Sequence, residues 1–333
     1  MPTAPPLQGT NHAPEPLTDT RQGRPAGVSR RNYARRRTLT YLLMGAPAIV
    51  CLFVFSYLPM TGVVLAFQDY RPVDGIFHSA WVGFANFAYL FVSDDAWRIT
   101  RNTVGMNLIF IIVNTTTSLF LALLLNEVRD RSKVLVKIYQ SAIFLPFVFS
   151  YVVVTGFVMA FLHPDTGLVN AILEAFGLSP VSWYSEPGWW PVILTLVEAW
   201  KRIGFWVIVY VAAIIGINTD YFEAAEIDGA SRLRKIYHIT LPLLVPLILI
   251  NILLSLGHIL NADFGLFFQV PQNSTPLYPT TDVIDTYIYR SLTSLGNVGM
   301  AAAAGLYQAT VGLILVILAN WIVRRRQASG ALF

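Results

Sequence analysis

Three ionisable side chains, Glu198, Lys201 and Arg202, interrupt an apolar run that extends over 189–217. Ionisable groups inside a membrane-length apolar segment are costly, so they mark solute paths, relays or locks between helices. Counted from Trp189, the three lie roughly 14–20 Å along a helix, near the centre of a bilayer. Glu198 and Arg202 stand at i,i+4, and Glu198 and Lys201 at i,i+3; both spacings allow pairing on one helix face. One cation is then in excess, which suits an acidic or richly hydroxylated solute. The chemistry is electrostatic binding, and the alternative role is to lock this segment to a neighbouring helix.

Other polar groups are spread over neighbouring apolar runs. His258, Asn261 and Asp263 stand near the end of 241–260, and Tyr307 and Gln308 lie within 300–323. Asn107 and Asn114 in 103–125 are expected to be hydrogen-bond partners between helices. Reactive chemistry is not indicated. The histidines at 12, 78, 163, 238 and 258 have no metal-ligand spacing. Cys51 is the single cysteine; inside an apolar run it reads as a small core thiol. No Ser/His/Asp or Cys/His nucleophile pattern stands out. No Gly-x-x-x-x-Gly-Lys-Ser/Thr sequence occurs, so the chain is not expected to hydrolyse ATP itself.

The elements that position these groups are spanning helices. Of the 333 residues, 55% are hydrophobic and 13% charged, against roughly 25% charged in soluble domains. Six apolar segments approach the roughly 20 residues that a span requires: 40–67, 103–125, 138–162, 189–217, 241–260 and 300–323. Pro47, Pro59 and Pro146 lie in or near their ends, where they can kink a helix. The net charge of +4 does not indicate nucleic acid, because the basic residues divide among separate loops. Arg21, Arg24, Arg30, Arg31, Arg35, Arg36 and Arg37 precede the first span, and further Lys/Arg clusters lie in 127–137, 232–235 and 324–326. The alternate loops hold only Arg71, Arg98, Arg101 and Arg290. By the positive-inside rule both termini are cytoplasmic. Residues 1–37 read as a disordered basic cytoplasmic tail without a signal-peptide core, 38–326 as the membrane domain and 327–333 as a cytoplasmic C-terminus.

One cytoplasmic loop is unusual. Within 221–242 the order is Glu223-Ala224-Ala225, three residues, Gly229, nine residues, Ile239, one residue, Leu241-Pro242. Asp220 is placed to cap a short amphipathic helix, Gly229 to break it, and Pro242 to open the next span. A second helical run over 230–237 carries Arg232, Arg234 and Lys235. This pattern resembles the EAA loop of bacterial ABC-importer permeases at every signature position. Tyr57-Leu58-Pro59, Ala66-Phe67-Gln68-Asp69-Tyr70, Trp81-Val82-Gly83-Phe84-Ala85-Asn86-Phe87, 164–170 and 282–290 are similar to the carbohydrate-type permeases, more narrowly the LplB-like branch. The resemblance covers about 38–326.

The resemblance implies an all-α membrane protein with the six-helix, type I importer fold. Glu223, Ala224, Ala225, Asp228 and Gly229 would dock on a cytoplasmic ATPase. Glu198, Trp200, Lys201, Arg202, His258, Asn261 and Asp263 would contact an oligosaccharide, with Trp200, Trp206 and Tyr210 suited to stacking on pyranose rings. The implied partners are a second permease, two ATP-binding subunits holding ATP and Mg, an extracellular or periplasmic solute-binding protein and membrane lipid. No cofactor would be bound by this chain, and its place would be the bacterial inner membrane. An importer of a non-sugar solute is the near alternative. An ion-coupled secondary transporter would leave the EAA pattern without a use.

Overall fold

The computed structural model describes residues 30–92, 94–129 and 131–326. The expectations for 1–29 and for 327–333 fall outside the described residues. Two compact units are distinguished, Met1–Thr61 and Gly62–Phe333. In the first, helix α1 (Arg30–Leu52) carries Pro47 inside it and passes into a π turn, Phe53–Tyr57. Helix α1 starts at Arg30, so the basic run 30–37 forms its first turns. Cys51 is exposed on this helix and is not the core thiol that its apolar neighbours suggested.

The second unit opens with a small hairpin, β1 (Gln68–Asp69) antiparallel to β2 (Ala80–Trp81), with α2 (Gly75–His78) between them. Then follow α3 (Ala85–Val92), α4 (Asp95–Arg129), α5 (Lys133–Val148), α6 (Tyr151–Leu162) and α7 (Leu168–Ala175). The next are α8 (Trp190–Ile215), α9 (Asp220–Ile227), α10 (Arg232–Lys235) and α11 (Leu241–Gly257). The last are α12 (Tyr278–Thr281), α13 (Ile284–Thr293) and α14 (Val298–Arg326).

Four helical stretches are each long and apolar enough to span a membrane: Arg37–Phe67, Asp95–Arg129, Arg232–Gly257 and Val298–Leu318. Two bent pairs raise the number to six. The third expected span is not one helix: α5 and α6 meet at a 100° bend. Pro146 lies just before this break, and Ser150 caps α6 by accepting the Val153 N–H at 3.4 Å. Helix α8 has 26 residues, about 39 Å at 1.5 Å each, so it reaches across a bilayer despite its mid-length charges.

Prolines explain the irregular helix turns. The π turns Phe53–Tyr57, Ile236–Thr240 and Gly265–Gln269 each end two residues before a proline: Pro59, Pro242 and Pro271. A proline has no N–H for the i−4 carbonyl and its ring collides with that carbonyl. The preceding turn widens, so that Leu58 N–H reaches Phe53 O and Leu241 N–H reaches Ile236 O.

Helices α4 and α8 pack along their lengths, and α4 runs past three apolar cores. One gathers Met106, Phe110, Trp190, Leu194 and Leu266; another, Leu125, Ile203, Val207, Tyr210 and Leu244. The third unites Leu90, Ile99, Leu260, Ile284 and Ala304. Helix α5 approaches α8 closely at Gly204, where a Cβ would stand 2.2 Å from Ile143 O. Between α6 and α8, Asn170 ties the connecting loop by donating to Pro164 O and Val181 O and accepting from Val181 N–H and Trp183 Nε1.

Candidate functional site

A polar cavity of about 180 Å³ opens between α4, α8 and the end of α11. Its charged lining is a chain of contacts. Glu198 Oε1 lies 3.0 Å from Arg202 Nε, the i,i+4 pair that the spacing predicted. Arg202 continues to Asp263, donating from its terminal nitrogen to Oδ2 at 2.8 Å. Asp263 Oδ1 accepts the N–H groups of Gly265 and Leu266, at 3.0 and 3.4 Å, and so caps the π turn that follows. The Tyr151 hydroxyl donates to Glu198 Oε2 at 3.1 Å.

The remaining walls are amides and hydroxyls. Asn107 donates to Ile259 O (2.8 Å) and Asn261 O (3.2 Å), joining α4 to the segment after α11 as the interhelical reading expected. Asn251 donates to the Tyr210 hydroxyl at 2.8 Å. Asn114 also lines the cavity, and its Oδ1 is buried without a hydrogen-bond partner. An unsatisfied buried acceptor is costly. His258 is on the rim, exposed, its Nδ1 3.0 Å from Leu254 O.

Of the residues expected to contact a solute, Glu198, Arg202, His258, Asn261 and Asp263 meet around this cavity. Trp200 and Lys201 do not. Trp200 faces an apolar groove of about 550 Å³ on another side of α8, against Phe149 and Phe157. Lys201 turns to the break in the third span, where its Nζ donates to Phe147 O and Phe149 O. The expected Glu198–Lys201 pair is not formed, and the excess cation is used by carbonyls. Two carboxylates and one guanidinium therefore line the cavity. Trp206 lines it too, whereas the Tyr210 ring is buried in the core and its hydroxyl is engaged by Asn251.

The lining residues Thr115, Asn251 and Ser255 escaped the sequence reading, as did Tyr151, which bonds Glu198 behind the lining. A signal existed for some. Asn251, Ser255 and His258 follow i, i+4, i+7 on an apolar helix, which puts them on one face. Tyr151 had no such signal. Nearby, Gln308 donates to Leu260 O, and its amide reaches the Asp285 carboxylate at 3.2 Å. Burial pushes the Asp285 carboxyl above the usual carboxylate range, although the Ala262 N–H and Gln308 pull it back. Tyr307 shares a hydrogen bond with Thr100 at 3.0 Å. Both α14 residues thus hold helices together.

The second feature is the elbow between α8 and α11. Helix α9 starts at Asp220, with Thr219 at its N-cap, so Asp220 is not the cap that the sequence suggested. It stands in the first turn, where a negative charge favours the helix dipole, and its N–H is accepted by Asn218 Oδ1 at 3.1 Å. The helix ends through Gly229, whose φ of +70° lies in the left-handed region. Gly229 N–H is accepted by Glu226 O and Ala230 N–H by Ala225 O. Ser231 caps α10, Lys235 bonds Glu226 at 2.6 Å, and Arg232 reaches Glu127 at the end of α4, 3.1 Å away. The elbow is braced within itself and to the second span. Glu223, Ala224, Asp228 and Gly229 are exposed, beside the exposed apolar side chains Tyr221, Ile227 and Leu233.

Known proteins are similar to this chain over most of its length. The family model described as "Binding-protein-dependent transport system inner membrane component" matches residues 116–328. Protein LplB of Bacillus subtilis (strain 168) is 32% identical over 304 residues, 91% of this chain and 94% of LplB. The polygalacturonan/rhamnogalacturonan transport system permease protein YteP of the same strain is 34% identical over 283 residues, 85% of this chain and 87% of YteP. A chain in the crystal structure of a bacterial ABC transporter involved in the import of the acidic polysaccharide alginate superimposes with a TM-score of 0.80 at 36% identity. That match covers 90% of this chain and all of the other.

Proposed function

The chain belongs to the family of binding-protein-dependent transport system inner membrane components, and from that premise we propose that it forms half of the translocation path of an ATP-driven importer for oligosaccharides or polysaccharide fragments. The observation that carries this reading is the exposed elbow over α9 and α10, set between two spans and braced to α4. A braced, exposed helix–Gly–helix unit is shaped to receive a push from a partner. Glu223, Ala224, Ala225, Asp228 and Gly229 are assigned to that contact.

The partners are a second permease, which completes the path, two ATPase subunits, which hold ATP and Mg, and an external solute-binding protein. This chain holds no nucleotide site of its own, in keeping with its lack of a phosphate-binding Gly-rich motif. Both termini and the elbow are placed in the cytoplasm, on the side where Lys and Arg concentrate.

The saccharide is assigned to the cavity of Glu198, Arg202, Asp263, Asn261 and His258. The carboxylates of Glu198 and Asp263 accept hydrogen bonds from sugar hydroxyls. The names of YteP and of the alginate importer support a polysaccharide-derived cargo. ATP-driven closure of the ATPases would move the elbow and rock the spans between outward- and inward-facing states.

The test is co-purification from the native host in gentle detergent, with mass spectrometry of what accompanies the chain. Recovery of an ATPase, a second permease and a binding protein is expected. Recovery of the chain alone would count against the importer.

A further inference from the structure

Lys201 is 8% exposed, yet among the described residues no carboxylate lies within salt-bridge distance of its ammonium. Its Nζ donates instead to Phe147 O at 3.0 Å and Phe149 O at 2.6 Å, and stands 4.9 Å from the centre of the Tyr151 ring. These carbonyls lie at the α5–α6 junction. The last four carbonyls of a helix have no intrahelical donor, and in a bilayer each unsatisfied group costs several kcal/mol. A 100° bend in mid-span therefore needs an outside donor, and Lys201 supplies one from the neighbouring span. The ring of Tyr151 adds a cation–π contact.

The same junction reaches the cavity. Tyr151 is the first residue of α6, and its hydroxyl holds Glu198. Its ring lies against Gly265, where a Cβ would come within 2.4 Å of Cδ2. Gly265 N–H in turn is bound by Asp263, the second partner of Arg202. The position of the break thus sets where Glu198 and Asp263 stand on either side of Arg202.

We propose that Lys201 is a positioning residue: it clamps the break in the third span against the fourth, and thereby holds Glu198, Arg202 and Asp263 in register without touching the solute. The clamp is a property of the chain alone; its consequence for uptake rests on the proposed function.

The experiment measures the bend. Ile138 and Ala160 are exposed on α5 and α6, and a spin label at each, with Cys51→Ser, reports their separation by double electron–electron resonance in nanodiscs. A 100° bend puts their backbones roughly 21 Å apart, and a straight helix roughly 33 Å. The parent should give one narrow distance near the shorter value, with or without co-purifying subunits, so the measurement stands even if the importer reading fails. Lys201→Met should broaden the distribution about twofold toward the longer value, and Lys201→Arg should restore the narrow peak, since a guanidinium still donates to carbonyls. If Lys201→Met does not insert, Lys201→Gln, which keeps an amide donor, should show an intermediate width. A narrow short peak in Lys201→Met, or in Lys201→Gln where only that variant inserts, would overturn the proposal.

Discussion

Arg202 answers two carboxylates at once. Its Nε faces Glu198 and a terminal nitrogen faces Asp263, 3.0 and 2.8 Å away. A planar guanidinium can serve two acceptors in fixed directions, whereas an ammonium is a point charge. Removing one member of a buried charge network leaves the others uncompensated. Arg202→Met would leave Glu198 and Asp263 facing each other across a polar cavity within the membrane. Saccharide uptake by vesicles carrying the complete transporter is expected to fall by about a hundredfold, and Arg202→Lys to recover only part of it, about a tenth. Unchanged uptake in Arg202→Met would remove the cavity from the transport path. Lys201 contrasts with this: adjacent in sequence and equally cationic, it faces carbonyls 52 and 54 residues earlier. No spacing rule in the sequence could separate the two roles, because the acceptors of Lys201 are main-chain atoms freed by a bend.

Helix packing shows which features a sequence can carry and which it cannot. The six apolar runs, the helix–Gly–helix elbow and Pro242 at the head of α11 were legible because length, apolarity, a left-handed glycine and a missing N–H are local properties. The π turns were legible in principle, since each ends two residues before a proline. The bend after Pro146 was anticipated only as a kink. Its 100° extent depends on a lysine from another helix. Close approaches between helices are equally non-local. Gly204 and Gly156 look alike in sequence, yet a Cβ at Gly204 would meet Ile143 O at 2.2 Å and one at Gly156 would meet nothing within 4 Å. The obstacle at Gly204 is backbone, which cannot rotate aside. Gly204→Ala should therefore push α5 from α8 and destabilise the fold by about 1–3 kcal/mol. Gly156→Ala should be neutral or stabilising by up to about 1 kcal/mol, because alanine favours a helix. Thermal unfolding of both variants in the same detergent checks the contrast, and equal shifts would refute the packing argument.

At the scale of the whole molecule, the cavity and the elbow lie on the same two helices. Helix α8 carries Glu198 and Arg202 and leads into α9, while α4 lines the cavity with Asn107 and Asn114 and meets Arg232 of the elbow through Glu127. A force on the elbow is therefore delivered to the helices that line the cavity, through rigid elements and not through a flexible linker. This makes insertion and coupling separable. Glu223 is exposed, so Glu223→Lys changes the surface shown to a partner without disturbing the fold. Gly229 has φ +70° and donates its N–H to Glu226 O. Proline, fixed near −65° and without an N–H, can meet neither condition. In Gly229→Pro the elbow should lose its shape, while the spans on either side are held by their own packing. Both variants should reach the membrane at parental levels, and saccharide uptake should fall by about tenfold or more. The residual ATP hydrolysis should no longer respond to the binding protein. Parental uptake in either variant would show that the elbow is not the coupling element, and loss of the protein from the membrane would show that it is needed for the fold itself.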